Sequence, residues 1–191
     1  MAKLKFGAWI PTYAWSGGKS DPKNVKRIRE SIEKCEDHGI DVWVIDHLLS
    51  APGLYGNAWL EPLNSLAFAA ALTSKVKIAT GILVLPVRHP VVLAKEISTL
   101  CHLSENRYMF GVGPGWYARE YEVTGSRIEE RGKRTDEIIA AVTLLLTKPN
   151  ASFQGKYYQF NDVTIEPRPP KMPAIWVSGG SRVPDPTDHD V

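Results

Sequence analysis

Apolar residues along this chain follow two rhythms. Short runs at Leu4 to Ile10, Val42 to Ile45, Val76 to Leu85, Tyr108 to Val112 and Ala174 to Ser178 have strand length and end in glycine, proline or polar residues. Between them apolar positions recur every three or four residues. The series are Val25, Ile28, Ile32, Cys35; Leu63, Leu66, Ala67, Ala70; Leu93, Ala94, Ile97, Leu100; and Ile138, Ile139, Val142, Leu145. Each is the buried stripe of an amphipathic helix. The punctuation agrees. Asp21-Pro22 supplies an N-cap and a first-turn proline, Glu61-Pro62 and Pro90 open two further helices, and Gly39 closes the first. Trp116 to Glu122 predicts a short helix and Glu129 to Leu146 a long one. Phe153 to Tyr157 predicts a small β-hairpin with Gly155 in its turn. Strands alternating with helices predict parallel βα units, an α/β fold.

Units of ~30–40 residues suit a TIM-type (β/α)₈ barrel, which needs ~250 residues for eight of them. The 191 residues hold only about the first five βα units. The expected division is a partial barrel domain over 1–181 and an irregular tail over 182–191, where Pro184 and Pro186 stand among aspartates. Five parallel strands do not close with eight-stranded geometry. The first and fifth, rich in Phe6, Trp9, Ile10, Ile175, Trp176 and Val177, are then expected to leave edges and apolar faces bare, which predicts a homo-oligomer, in the first instance a dimer.

Composition narrows the functional classes. Lys plus Arg total 23 against 21 Asp plus Glu, with no basic stripe, so neither nucleic acid nor an acidic membrane surface is the expected partner. No run approaches membrane-spanning length, and Met1 to Phe6 lacks the apolar core of a signal peptide. Cys35 and Cys101 fall on apolar helix positions far apart in sequence. They read as buried thiols of a reducing compartment, neither a disulfide framework nor a metal pair. A cytoplasmic protein is expected.

Candidate chemistry gathers where strands end. Val42 to Ile45 runs directly into Asp46 and His47, and side chains just past a parallel strand point into the cleft at the mouth of the sheet. An imidazole titrates near neutrality and can carry a proton there. The competing reading makes Asp46 a cap and His47 a loop residue. Comparable strand ends follow at Thr80-Gly81, at Gly111 to Gly113 and at Ser178, Gly179, Gly180. Gly81 with Ile82 lies inside the third strand, where glycine is normally a liability. Gly113, Pro114, Gly115 and Trp116 lack the spacing of a dinucleotide fingerprint. Their small residues suit the approach of a planar ring, with Trp116 either a pocket wall or a buried structural residue. Exposed amides, the hydroxyls of Ser178 and Ser181 and the Arg182 guanidinium suit a phosphate. Trp9, Trp43 and Trp176 read as core, Arg88 and His89 as structural or rim residues, and Glu130-Arg131 as a solvated pair.

Taken in order, these motifs resemble the luciferase-like monooxygenase family of flavin- or deazaflavin-dependent (β/α)₈ enzymes. The carriers are Asp46-His47, Glu61 to Leu66, Thr80 to Pro90, Ala94 to Ile97, Leu103-Ser104, Arg107 to Tyr117, Glu130-Arg131, Phe153 to Tyr158, Pro167 to Pro169 and Ile175 to Gly180. The resemblance implies an oxidoreductase in which His47 is the catalytic acid/base and Asp46 orients its ring or contacts cofactor. It also implies a cofactor site at Asp46, Thr80, Gly81, Ile82, Gly113, Gly115, Trp116, Ser178, Gly179 and Gly180. In the family a bulge at Gly81-Ile82, often with a cis peptide, supports the flavin ring. The cofactor is FMN or coenzyme F-420 and the substrate a small organic molecule, apolar or aromatic by the hint of Tyr55 to Trp59. FMN brings a separate flavin reductase and oxygenation; F-420 brings hydride transfer. Sugar-phosphate dehydrogenases of the deazaflavin branch carry an acidic residue where Trp116 stands, so that activity is not expected. Val183 to Pro186 interrupts the helix that follows the family's phosphate turn. The alternative is a shortened, catalytically inactive flavin-binding or subunit-interaction protein.

Overall fold

The computed structural model describes residues 4–12, 22–50 and 58–179. The predicted cap Asp21, the loop positions 55–57, Gly180, Ser181, Arg182 and the 182–191 tail lie outside the described residues.

Chain order is β1 (Gly7–Trp9), α1 (Pro22–His38), β2 (Asp41–Val44), α2 (Pro62–Leu72), β3 (Ile78–Thr80), β4 (Leu83–Val84), α3 (Pro90–Leu103), β5 (Tyr108–Gly113), α4 (Ala118–Val123), α5 (Arg131–Thr147), β6 (Ala151–Gln154), β7 (Gln159–Val163) and β8 (Ile175–Val177). β1 pairs with β2, β2 with β3, and β3 with the first half of β5, all parallel. β4 continues along the second half of β5, and β8 lies on its other side, again parallel. These are the five strands expected, with one correction. The single third strand predicted over Val76 to Leu85 is two pieces, because the chain breaks at Gly81-Ile82, whose peptide bond is cis. The hairpin of β6 and β7 stands apart as its own antiparallel pair, with Gly155 in the turn.

Alternation along the strands creates two unlike faces. Val42 and Val44 of β2, Ile78 of β3, and Phe110 and Val112 of β5 point towards the helices and are fully buried. Ile28 and Ile32 of α1, Leu66 and Ala69 of α2, Leu93 and Ile97 of α3, and Ile138, Val142 and Leu145 of α5 complete that core. Cys35 and Cys101 are buried in it as free thiols. Trp9, Trp43 and Trp176 occupy the other face. Trp43 meets Trp176 edge-on, with ring centroids 6.1 Å apart. The reading of these tryptophans as core is corrected for Trp9 and Trp176, and the expectation that the first and fifth strands leave apolar faces bare is what the structure has. Trp9 is 59% and Trp176 56% exposed, and the last strand, expected to be buried, leaves Val177 63% exposed. For the indoles the physical reason is that, among the described residues, only the helix-facing side of the sheet has a partner layer. Val177 shares the side of Val112 and is bare because β8 pairs only with β5 and no described helix follows it.

Polar clips fix the loops. Glu36 of α1 accepts hydrogen bonds from the amides of Ser74, Lys75 and Val76 and from the Ser74 hydroxyl. Arg107 donates to the carbonyls of Ala70, Thr73 and Val76 and to the Thr73 hydroxyl, closing the C-terminal end of α2. Glu130 pairs with Arg134 one turn on, at 3.0 Å, while its neighbour Arg131 donates to Ile128; the expected Glu130-Arg131 pair does not form.

Candidate active site

The C-terminal ends of β2, β4, β5 and β8 define one mouth. At the end of β2, the pleat that buries Val42 and Val44 carries Asp46 to the same side and leaves His47 on the other. Asp46 is therefore inside the protein. Its Oδ2 accepts from the Val84 amide at 2.8 Å, and Arg88 Nη2 donates to both carboxylate oxygens at 3.1 Å. Arg88 Nη1 also reaches Glu61 Oε1 at 3.2 Å, while the other Glu61 oxygen caps α2 through the Asn64 amide. Burial alone would lower the Arg88 pKa, but the charges of Asp46 and Glu61 outweigh it and raise the value. This network ties the end of β2 to β4 and to the start of α2. Of the two roles expected of Asp46, orienting His47 or contacting cofactor, the first is thereby corrected: its oxygens belong to Arg88 and Val84.

The carboxylate at His47 comes from elsewhere. Glu120 Oε1 lies 3.0 Å from His47 Nδ1 and also accepts the amides of Leu48 at 2.8 Å and Leu49 at 3.2 Å. Glu120 sits in α4 and is only 1% exposed. The imidazole lies between two indoles, with centroids 4.7 Å from Trp59 and 5.8 Å from Trp116. Sequence reasoning missed Glu120, since a glutamate in a charged helical segment reads as surface. The available signal was position: a six-residue helix directly after the glycine turn of β5 stays at the mouth.

Ile82, Gly113 and Ser178 come together. A Cβ on Gly113 would collide with the Ser178 hydroxyl and touch the Ile82 side chain, and open space lies before Gly179. Gly115, at φ +72°, packs against Val84 and the Tyr121 hydroxyl, which donates to the Pro114 carbonyl. Thr80 is fully buried, its hydroxyl donating to the Gly111 carbonyl at 2.7 Å and lying 3.2 Å from the Tyr108 hydroxyl, so that side chain serves the sheet. The Trp43 and Trp9 rings stand over Gly81. The backbone approach expected at Gly81 is thus covered by indole. Of the glycines at the mouth, Gly113 is packed closely by Ser178 and Ile82 and Gly115 by Val84 and Tyr121, and Gly179 faces open space. Small residues, a hydroxyl, aromatic walls and one imidazole at the ends of parallel strands fit a flat, partly apolar cofactor.

Parallel βα units whose strands end at one such mouth define a barrel-type α/β protein. The sequence pattern of the luciferase-like monooxygenases matches residues 4–184, and the chain belongs to that family. It is 28% identical over 191 residues to an FMNH(2)-dependent dimethylsulfone monooxygenase of Pseudomonas putida, covering 94% of this chain and 52% of that protein. It is 32% identical over 151 residues to an F-420-dependent glucose-6-phosphate dehydrogenase of Kineococcus radiotolerans, covering 77% and 44%. Among solved structures, the monooxygenase RslO1 of Streptomyces bottropensis superposes with TM-score 0.77 at 26% identity, over 91% of this chain and 53% of that one. The oxygenating constituent of 3,6-diketocamphane monooxygenase of Pseudomonas putida, solved in complex with FMN, shares the fold at TM-score 0.77 and 23% identity, over 92% and 51%. The chain spans about half the length of the curated relatives it matches.

Proposed function

We propose that this chain carries the strand-end site of a flavin- or deazaflavin-dependent oxidoreductase, a luciferase-like monooxygenase acting on a small organic substrate. The observation that carries the reading is the placement of His47: an imidazole flanked by Trp59 and Trp116 and held by Glu120 at the mouth of a parallel sheet. Ile82, Gly113, Ser178 and Gly179 are the residues proposed to hold the cofactor, with Gly115 and Trp116 closing the turn beside them; Gly81 and Thr80 support from behind. The neighbouring Gly180 is the remaining member of the proposed set. FMN supplied reduced by a separate reductase brings oxygen chemistry, and F-420 brings hydride transfer. What the chain itself contributes is orientation, water exclusion by the two indoles, and a proton held or taken at His47. The protein is proposed to act in the cytoplasm; among the described residues no helix is long and apolar enough to cross a membrane.

If His47 moves that proton, His47→Ala lowers turnover by about 10²–10⁴-fold. Steady-state kinetics on wild type and variant with either cofactor measure it, with far-ultraviolet dichroism confirming that the variant folds. Undiminished turnover by a folded variant would remove His47 from the chemistry.

A second reading is favoured by the exposed tryptophan face: a chain that binds flavin or another subunit without turnover, assembling as a homo-oligomer. Saturable cofactor binding with no oxidase, reductase or monooxygenase activity supports that alternative.

A further inference from the structure

One oxygen of Glu120 takes three N–H groups, and two of them settle the third. The amides of Leu48 and Leu49 can only donate, so Glu120 Oε1 is an acceptor at that point. A lone pair on His47 Nδ1, 3.0 Å from the same oxygen, would face the oxygen's own lone pairs. Nδ1 therefore carries a hydrogen and donates it. In the neutral ring this leaves the lone pair on Nε2, which has no hydrogen-bond partner among the described residues.

We infer that Glu120 is the positioning residue of this site: it fixes the tautomer of His47, so that the neutral imidazole accepts a proton at Nε2, and it fastens the loop after β2 to the helix after β5. The inference rests on the reading of His47 as the acid/base group. Geometry sets Glu120 apart from the other acidic residues nearby. Asp46, adjacent in sequence, gives both oxygens to Arg88 and Val84, and Glu61 divides its own between Arg88 and Asn64. Among the described acidic residues, Glu120 is the one that reaches the ring. At 1% exposure its carboxylate is taken from water, and three donors on one oxygen compensate for that. A helix glutamate with a merely structural task would need only the two loop amides. The third bond, to a side chain between two indoles, is the one that structure alone does not require. The orientation of the ring follows from the same bond, since Trp59 and Trp116 pack around an imidazole whose Nδ1 edge is already pinned.

The test reads the tautomer directly and does not depend on activity. Protein labelled with ¹⁵N-histidine is compared as wild type, Glu120→Gln and Glu120→Ala at a pH where the His47 ring is neutral. The expected result is an Nδ1–H ring in wild type and in Glu120→Gln, whose amide oxygen still accepts. In Glu120→Ala the ring should shift towards the Nε2–H form that free histidine prefers. Kinetics give a second readout: Glu120→Ala lowers kcat by about 10²-fold in the wild-type background and adds nothing to His47→Ala. An Nε2–H ring in the wild type overturns the inference. So does a Glu120→Ala loss of equal size with and without His47. Should the wild type prove inactive, the functional reading fails while the labelled spectra still decide the role of Glu120. Should Glu120→Ala fail to fold, the wild-type and Glu120→Gln spectra decide it alone.

Discussion

Two adjacent residues, Asp46 and His47, show what a sequence conveys at the scale of the side chain and what it hides. That both stand at a strand end was legible, because the apolar run Val42 to Ile45 stops there. That they face opposite ways follows from the pleat, yet which side holds the helices is a tertiary fact. Asp46 went to the helix side, where Arg88 neutralises it, and His47 to the mouth, where Glu120, 73 residues away in sequence, holds it. Spacing says nothing about partners so distant. The network at Asp46 carries a prediction of its own. Arg88→Met leaves a buried carboxylate without its counter-charge, and removing one member of such a pair costs about 3–5 kcal/mol. Urea unfolding of Arg88→Met should show that loss, and Asp46→Leu combined with Arg88→Met should recover much of it. Equal stability of the single variant and wild type would mean that water reaches Asp46.

Helices and strands were more legible than side-chain partners, because periodicity reports on them directly. The stripes through Ile28 and Ile32, Leu66 and Ala70, Leu93 and Ile97, and Ile138 and Val142 are buried as their spacing requires. The break between β3 and β4 showed in the spacing only as an odd glycine and was expected at Gly81-Ile82 from the family resemblance. Hydropathy alone read Ile175, Trp176 and Val177 as core, and it was the count of strands that led to the expectation of bare faces at β1 and β8. Clips between elements were equally silent. Glu36 fastens α1 to the turn before β3. Burial alone would raise its pKa, but hydrogen bonds from Ser74, Val76 and Lys75 outweigh this and lower it from 4.5 to about 2. A carboxyl with a depressed folded value stabilises fully above its unfolded pKa, and that contribution is lost as the pH falls through the folded one. Wild type should therefore be more stable than Glu36→Gln at neutral pH, with the gap narrowing between pH 4.5 and about 2. Chemical denaturation across that range measures it; a gap independent of pH would show that the ionised carboxylate is not what matters.

For the molecule as a whole, the helix-facing side of the sheet carries the core, and among the described residues no layer covers the tryptophan side. Trp9 at 59% and Trp176 at 56% exposure stand there, while Phe6 beside β1 and Val177 at the end of β8 are bare at the two outer strands. Parallel sheets are seldom stable with one face bare, so the 191-residue chain is predicted to self-associate. Sedimentation over a dilution series should show a mass that rises with concentration. A compact monomer at every concentration would contradict that expectation.

The mouth formed by the strand ends is the centre of this account, and cofactor binding tests it most directly. Trp59 and Trp116 flank His47 there, so tryptophan fluorescence reports on its occupancy. Titration of the folded chain with FMN, reduced FMN and F-420 should give saturable quenching by at least one of them, and a folded Gly113→Val variant, whose side chain displaces Ile82 and Ser178, should lose it. Failure of every cofactor to bind folded protein, or binding indifferent to Gly113→Val, would contradict the placement of the site.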